Sequence, residues 1–230
     1  GEPLRDDMIP SLAYFGHSIT LRGRTESDLH SALHESARQA VRKAARADVR
    51  VETRTDAEAI ELFHGLNCRT RRVHGLPPQP LRFFQNIARH VMQRGMGCVV
   101  LAFDRQQLVA GAVLFHFGKR ALFKYGASRD DARELRANNL VMWEAVRWCA
   151  ERGFEELDLG RTDAEHEGLR RFKRNLGGRE FPFAYYKFDF RDGIFVQDRA
   201  IVTGWHNRVF RSLPIPLARA AGAMIYRHVA

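Results

Sequence analysis

Three apolar, β-rich runs in the middle of the chain form the most regular hydrophobic pattern in the sequence. They read "GCVVLAF", "QLVAGAVLFHF" and "RALFKYGAS", and only the short turns "DRQ" and "GK" separate them. Short turns between such runs favour hairpins, so the pattern predicts an antiparallel meander. Because the middle run is apolar at consecutive positions, we expect a central strand that is covered on both faces.

Before the meander, the hydrophobic pattern switches between the periods of strands and helices. The prolines of "HGLPPQP" interrupt what would otherwise be one long helix, and they therefore predict two helices. The predicted elements follow in the order strand 17–23, helix 25–47, strand 48–54, helix 56–73 and helix 80–94.

After the meander, apolar residues return at helical spacing between Leu135 and Cys149, and Gly153 suits the left-handed position that ends a helix. The remaining predicted elements are a strand in "FEELDLG", a helix in "EGLRRFKRNL" and a closing strand in "REFPFAYYKFDF". This order predicts an α+β layered fold. It is neither the order of a repeat array nor that of a doubly wound parallel sheet.

The chain is strongly basic, with a formal net charge of +10 and an isoelectric point near 10.1. Such a charge predicts attraction to RNA, nucleotide-linked sugars or acidic lipid headgroups, but it does not select among these anions. Arg38, Arg42 and Arg46 are spaced four residues apart on one predicted helical face. That face is either a solvated surface or an anion-binding stripe.

Composition favours a cytoplasmic protein that is soluble or bound peripherally to the inner face of a membrane. The chain has 230 residues and 45% hydrophobic content, which is enough for a substantial core. Cys68, Cys98 and Cys149 lie far apart in apolar sequence and fit reduced core thiols better than disulfides. No apolar run reaches the roughly 20 residues that a membrane-spanning helix requires.

The last stretch, "IPLARAAGAMIYRHVA", predicts a helix with two chemically different sides. Leu217, Ala221, Met224 and Ile225 share the apolar side. This side either attaches to a membrane that carries a lipid-linked acceptor or packs against protein.

Several of these stretches together resemble the second acyltransferase domain of FemAB-type proteins, which has the GNAT-like fold of acyl-CoA N-acyltransferases, a mixed and mostly antiparallel sheet flanked by helices. The matching stretches lie between Leu29 and Phe188 and read "SARQAVRKAARADVRVE", "LNCRTRRVHGLPPQPLRFFQNI", "LVAGAVLFHFGKRALFKYGAS", "NNLVMWEAVRWCAERGFEELDLGR" and "GLRRFKRNLGG". The tail "RVFRSLPIPLARAAGAMIYRHV" resembles the polysaccharide- and PEP-CTERM-associated branch.

The resemblance implies a domain organisation. It places a GNAT-like domain over residues 29–190 and a helical tail over 191–230. Residues 1–28 are then expected to be a remnant of, or a boundary with, a first domain, because FemAB enzymes of known type carry two such domains.

The resemblance also implies a function. The family includes aminoacyl-tRNA-dependent enzymes that add amino acids to peptidoglycan precursors, and relatives encoded with exopolysaccharide genes. An N-acyltransferase or aminoacyltransferase is therefore expected, forming an amide bond on a small-molecule or lipid-linked cell-envelope or exopolysaccharide precursor. Expected partners are tRNA and a membrane surface, and a homodimer is compatible with the sequence. Two alternatives remain: a non-catalytic anion- or RNA-binding module of the same fold, and an acetyl-CoA-dependent N-acetyltransferase.

The acyl donor can be narrowed from the stretch "GASRDDARELRANN", which follows the predicted fourth strand of the fold. In acetyl-CoA-using members a glycine-rich turn binds pyrophosphate at this helix start. Here Asp130 and Asp131 would repel a pyrophosphate, although Arg129, Arg133 and Arg136 could engage phosphate from the side. We therefore expect aminoacyl-tRNA or another activated acyl donor ahead of acetyl-CoA, and no tightly bound cofactor. His30 and His34 have metal-binding spacing but no third ligand nearby, so no metal site is predicted.

In the GNAT fold, the fourth and fifth strands splay apart and leave the cleft in which acyl transfer occurs. The resemblance therefore points to five candidate residues on or near these strands. Lys173 and Phe172 match the family's Phe-Lys pair, which implies that Lys173 stabilises the developing negative charge and that Phe172 anchors its helix and belongs to the substrate site. Asp158 is the candidate base or acceptor-orienting group, and Arg161 and Tyr125 are the candidate substrate-binding residues.

Each candidate also has a purely structural interpretation. Lys173 could be a surface lysine beside a core phenylalanine, and Tyr125 could be a core aromatic residue. Asp158 could form an ion pair with Arg161 or accept backbone N–H groups in the loop.

Overall fold

The computed structural model describes residues 8–197 and 205–226, and strands between residues 12 and 185 form a mixed β-sheet. Its strands are β1 (Leu12–Thr20), β2 (Val49–Arg54), β3 (Gly97–Asp104), β4 (Gln107–Phe117), β5 (Arg120–Ser128), β6 (Glu156–Asp158), β7 (Thr162–Asp163) and β8 (Arg179–Tyr185). Their order is β2-β3-β4-β5-β6-β1-β7, and β8 also pairs with β1. Among the described strands only β5 and β6 pair in parallel, so the predicted antiparallel meander and the mixed, mostly antiparallel sheet are confirmed. Past β8 the chain forms a small hairpin of β9 (Phe188–Asp189) and β10 (Ile194–Phe195).

The helices are α1 (Glu26–Ala32), α2 (Glu35–Arg46), α3 (Ala57–Val73), α4 (Leu81–His90), α5 (Ala137–Glu151), α6 (Glu167–Asn175), α7 (Trp205–Ser212) and α8 (Ile215–Ile225). The single helix predicted over 25–47 is in fact two helices. Leu33 between them has an extended backbone, and the His34 side chain accepts the Ser36 N–H at the start of α2. The apolar spacing continues across residues 33 and 34, but the extended backbone of Leu33 ends α1 and the His34 cap starts a new helix.

The helices bury both faces of the sheet. On one face α1, α2, α5 and α6 pack over a core that contains Leu114, and on the other α3 and α4 pack over a core that contains Val113. These two residues are neighbours in β4, and both are fully buried. The central strand is therefore covered on both sides, as the run of apolar residues predicts.

Strand β1 lies inside the sheet, between β6 and β8. Ser18 pairs with Asp158 of β6, and seven residues from Leu12 to Ser18 pair with β8. Residues 12–20, which belong to the N-terminal segment expected over 1–28, are therefore hydrogen-bonded into this sheet. Pairing with strands more than 130 positions away along the chain leaves no local signal in the sequence.

The C-terminal helices pack against α3, and a glycine of α8 approaches the segment that follows α3. A Cβ atom on Gly222 would lie 2.1 Å from the carbonyl oxygen of Pro78, so only glycine permits this approach. Ala218 is buried beside it, whereas Leu217 and Met224 are 57% and 62% exposed. The apolar side of the tail therefore faces outwards. Within the described residues, no helix combines the length and apolar character needed to cross a bilayer.

An ion cluster around Glu180 fastens β1, β8 and α6 to one another. The Glu180 carboxylate accepts two hydrogen bonds from Arg170, at 3.0 and 2.7 Å, and one of 3.1 Å from Arg174. It also lies 2.9 Å from Nε2 of the fully buried His17. The Arg170 guanidinium, with help from His17 and Arg174, lowers the pKa of Glu180 to about 2.

We expect Glu180→Gln to lower the free energy of unfolding by about 1–3 kcal/mol at pH 7, since it removes charge-assisted hydrogen bonds from three partners. Urea denaturation will measure the loss, with the exposed Glu165→Gln as the control. A lowered carboxyl pKa contributes stability above pH 4.5, and that contribution disappears as the pH falls toward about 2. The free energies of unfolding of Glu180→Gln and of the wild type should therefore converge in acid, whereas Glu165→Gln should match the wild type throughout. A constant gap between pH 7 and pH 2 would contradict the assignment.

Candidate active site

A cleft opens where β5 and β6 separate. The two strands pair over only three positions, from Arg120–Leu122 to Glu156–Asp158. Strand β5 then continues to Ser128 while β6 ends, which leaves an opening of about 540 Å³ between them. This volume suits a small-molecule or sugar-sized group.

Two backbone features keep the strands apart. In β5, Phe123 and Tyr125 lie opposite consecutive residues of β4, so Lys124 is the extra residue of a β-bulge. At the end of β6, Gly160 adopts a φ of 73°, which lets the chain turn away sharply. Both features lie at the edge of the cleft, since Lys124 and Gly160 line it.

The Lys173 ammonium reaches this cleft from α6 and is 4% exposed. Its Nζ donates hydrogen bonds of 2.9 Å to the Gly160 carbonyl and 3.2 Å to the Arg161 carbonyl. Burial lowers the pKa of Lys173 to about 8, and the charge of the Asp158 carboxylate opposes part of that shift. An ammonium has three N–H donors, and among the described residues only these two acceptors are bonded to it. One donor is therefore available to a bound molecule.

Asp158 lies at the exposed edge of the same cleft. Its Oδ1 accepts the Gly160 N–H at 2.6 Å, so the side chain closes the turn that ends β6. The sequence left two structural roles open for Asp158, a hydrogen bond to the loop backbone and an ion pair with Arg161. The backbone hydrogen bond is present, and within the described residues no ion pair joins Asp158 to Arg161.

The Arg161 guanidinium is held between two tyrosines at the mouth of the cleft. Its central carbon lies 4.7 Å from the ring centre of Tyr14 and 4.9 Å from that of Tyr185, and Nη1 donates to the Tyr185 hydroxyl. No carboxylate of the described residues lies within ion-pairing distance. The cation is thus positioned by aromatic faces and remains available to an anion.

Tyr125 does not line the cleft, so its expected position was wrong. Its ring packs against Phe84 at 5.6 Å, with Phe83 and Phe115 nearby, in the core under α3 and α4. The bulge at Lys124 is the physical reason, because one extra residue reverses which side chains of β5 face each way. Burial accordingly raises the pKa of the Tyr125 hydroxyl.

Phe172 also lies outside the cleft. Its half-buried ring packs against the core formed by α2 and α5 and faces the grooves between those helices and α6. The structure therefore places it as a support for the helix that carries Lys173, as expected of an anchor, and not among the residues that line the cleft.

The sequence interpretation missed the aromatic wall of the cleft. Phe181, Phe183 and Tyr185 occupy alternate positions of β8 and line the opening, while Tyr14 stands opposite Phe183 in β1. The aromatic alternation in "REFPFAYY" was the available signal. Nothing local indicated that β1 would bring Tyr14 beside it.

The other candidate groups have structural roles. The three cysteines are buried and free, and burial raises the pKa of Cys149 to about 12. His30 packs against the Trp143 ring at 5.3 Å, and His34 caps α2. Among the described residues, no group of three or more His, Cys, Asp or Glu side chains is arranged to hold a metal ion.

Basic residues line three adjoining grooves that extend from α3 and α7, past the segment before α5, to α2 and α6. We call this set of residues the basic track. Grooves of about 480 and 240 Å³ share Arg136, Asn139 and Phe172, and the smaller one shares Ser128 and Arg129 with a third of about 560 Å³. The cations of this basic track are Lys43, Arg69, Arg72, Arg129, Arg133, Arg136, Arg171 and Arg211.

Carboxylates neutralise only part of the basic track. Asp131 pairs with Arg129, Asp130 with Arg133, and Glu134 with Lys43. Among the described residues, no carboxylate pairs with the remaining five arginines. The track therefore offers an extended cationic surface that ends beside the helix of Lys173.

Comparison with known proteins identifies the family. The family model of the acetyltransferase (GNAT) domain matches residues 31–174. Lipid II:glycine glycyltransferases of Staphylococcus haemolyticus (strain JCSC1435) and Staphylococcus aureus are 35% and 31% identical over 75 residues. That match covers 30% of this chain but 18% of each relative, so the chain spans a small part of their length.

Solved structures share the fold at low sequence identity. The crystal structure of FemX superposes with a TM-score of 0.65 and 18% identity, covering 80% of this chain and 64% of that one. The C-terminal domain of a putative lysylphosphatidylglycerol synthetase from Agrobacterium fabrum gives a TM-score of 0.54 and 14% identity, covering 74% and 59%. The FemAB-like resemblance is confirmed at the level of the family, and the chain belongs to the acetyltransferase (GNAT) domain family.

Proposed function

We propose that this chain transfers an acyl or aminoacyl group to an amine of a cell-envelope precursor, with the reaction centred on Lys173. The observation that carries the proposal is the buried ammonium at the point where β5 and β6 separate. Attack of a neutral amine on an ester carbonyl produces a negatively charged oxygen. A fixed cation in a water-poor cleft stabilises that charge more than it stabilises the uncharged substrate.

The neighbouring groups suit supporting roles. Asp158 is fixed by the Gly160 N–H and points its carboxylate at the exposed edge of the cleft, where it can orient the attacking amine and accept its proton. Arg161 supplies a second cation, which suits a phosphate or carboxylate of the acceptor.

The class of acceptor is supported by the relatives, whose names describe transfer of glycine to lipid II. A lipid-linked precursor would bring the protein to the membrane surface without a spanning helix. The exposed Leu217 and Met224 of α8 are compatible with peripheral contact.

For the donor we propose an aminoacyl-tRNA. The basic track carries eight cations along three adjoining grooves, which suits a phosphate backbone better than a single pyrophosphate. Asp130 and Asp131 begin the turn before α5 and already pair with arginines, which disfavours a compact pyrophosphate there.

We expect Lys173→Ala to reduce turnover by about 10²–10³-fold while the protein remains folded, because it removes a cation that acts on the transition state. The assay is transfer of a radiolabelled amino acid from aminoacyl-tRNA to lipid II. Lys173→Met tests whether lost volume matters, and the exposed Lys119→Ala is the control. Full activity in both Lys173 variants, with unchanged melting temperatures, would remove Lys173 from the mechanism.

The pH dependence should follow the Lys173 ammonium. Activity should decline as the pH rises through about 8, where the group loses its proton. In Asp158→Asn the pKa of Lys173 should fall further, since the charge that stabilises the ammonium is gone. The pKa of Lys173 in the wild type and in Asp158→Asn will be measured by following the NMR shift of its Cε carbon against pH. An upward shift in the Asn variant would contradict the proposed arrangement.

Binding of RNA should depend on the position of the arginines and not only on net charge. We expect Arg136→Glu combined with Arg171→Glu to weaken tRNA binding at least about tenfold and to reduce its salt dependence. The control is Arg82→Glu combined with Arg89→Glu on α4, which changes the charge equally on the other face of the sheet. Fluorescence anisotropy with labelled tRNA at several salt concentrations will compare them, and equal losses would disprove a specific track.

A further inference from the structure

Two buried polar atoms in β1 and β7 have no hydrogen-bond partner among the described residues. They are Nδ1 of His17 and the hydroxyl oxygen of Thr162. His17 is 0% exposed and Thr162 is 3% exposed, so bulk water does not reach either atom. Folded proteins pair nearly all such groups, because a buried polar group without a partner destabilises the fold. The transfer chemistry proposed above uses neither atom.

The sheet brings these two side chains to the same face. Thr162 lies opposite Phe15 in the pairing of β7 with β1, and His17 follows Phe15 by two residues along β1. Side chains two positions apart on a strand point to the same face, so Thr162 and His17 are diagonal neighbours. The Arg170 guanidinium of α6 lies 3.8 Å from the centre of the Phe15 ring, so α6 covers this part of the face.

Glu180 fixes the protonation state of the His17 imidazole. The arginines of α6 lower the pKa of Glu180 to about 2, and its carboxylate therefore accepts a hydrogen bond of 2.9 Å from Nε2 of His17. Burial lowers the pKa of His17, and the charges of Lys173 and Arg174 act in the same direction, whereas Glu180 opposes them. At pH 7 the imidazole is thus mostly neutral with its proton on Nε2, which leaves Nδ1 as a hydrogen-bond acceptor.

Thr162 directly follows a residue that holds the Lys173 ammonium. Nζ donates to the Arg161 carbonyl at 3.2 Å, and this carbonyl belongs to the peptide bond between Arg161 and Thr162. At the start of the same turn, the Leu159 N–H donates to the His17 carbonyl at 2.8 Å. The turn from β6 to β7 is therefore attached to β1 on both sides of the carbonyl that Lys173 uses. Anything that fixes the Thr162 side chain also restricts that carbonyl.

We propose that an internal water molecule joins Nδ1 of His17 to the Thr162 hydroxyl, and that His17 acts through it as a positioning residue for Lys173. The water donates to Nδ1 and accepts the hydroxyl hydrogen of Thr162, so one molecule satisfies both buried atoms. The row from Glu180 through His17 and the water to Thr162 then holds the Arg161 carbonyl toward the ammonium. The third N–H of Lys173 remains for the substrate. As a role in transfer this rests on the proposed function, but its effect on Lys173 can be measured without turnover.

The experiment follows the pKa of Lys173, through the NMR shift of its Cε carbon, in two variants and their combination. His17→Gln keeps an N–H donor for Glu180 but removes the acceptor at Nδ1, and Thr162→Val removes the hydroxyl at similar volume. Each should lower the pKa of Lys173 from about 8 by at least about 0.5, because the buried ammonium loses carbonyl support. The combined variant should shift it no further, since both changes act on one water. Thr53→Val, which removes an exposed hydroxyl from β2, is the control and should leave the pKa unchanged.

Two further readouts separate positioning from a purely structural role. The decline of kcat with rising pH should move to lower pH in both variants with KM little changed, and the melting temperature of His17→Gln should stay close to that of the wild type. A crystal structure should show the water between His17 and Thr162, and Thr162→Val should lack it. If His17→Gln does not fold, Thr162→Val alone decides.

An unchanged Lys173 pKa in the folded variants would overturn the proposal. Shifts that add in the combined variant would also overturn it, because they would mean two independent effects instead of one shared water. A lowered pKa of Lys173 without transfer from any donor would disprove the proposed function and leave the link between His17 and Lys173 in place.

Discussion

The geometry of the site depends on the burial of one ammonium group. Lys173 is almost inaccessible to water, and its charge is supported by hydrogen bonds to the Gly160 and Arg161 carbonyls. Burying a cation costs free energy unless polar groups surround it. The same two hydrogen bonds therefore stabilise the lysine and connect α6 to the end of β6.

The sheet separates two kinds of surface around this ammonium. Arginines from α3, α6, α7 and the segment before α5 line the grooves that end beside α6, and aromatic rings from β8 line the cleft itself. The first surface is cationic and the second is aromatic, so the two surfaces suit different kinds of ligand.

Net charge by itself describes this protein poorly. The acids at the turn before α5 neutralise the nearest basic groups, so the arginines without carboxylate partners in the described chain decide where an anion can bind. Glu180 has a comparable effect on the opposite side of α6, where it pairs with Arg170 and Arg174 and turns them into structural residues. Position and pairing thus matter more than the overall excess of arginine.

The sequence alone determined the elements whose signals are local. Apolar alternation and short turns specified the meander of β3, β4 and β5, and Asp158, Arg161 and Lys173 could be found together because they belong to one strand-turn-helix unit. Only the tertiary structure decided the rest. The bulge in β5 moved Tyr125 to the other face, and the pairing of β1 with β6 and β8 brought Tyr14 to Arg161. Strand register and strand neighbours depend on contacts between distant parts of the chain, and such contacts leave no periodic pattern in the residues that make them.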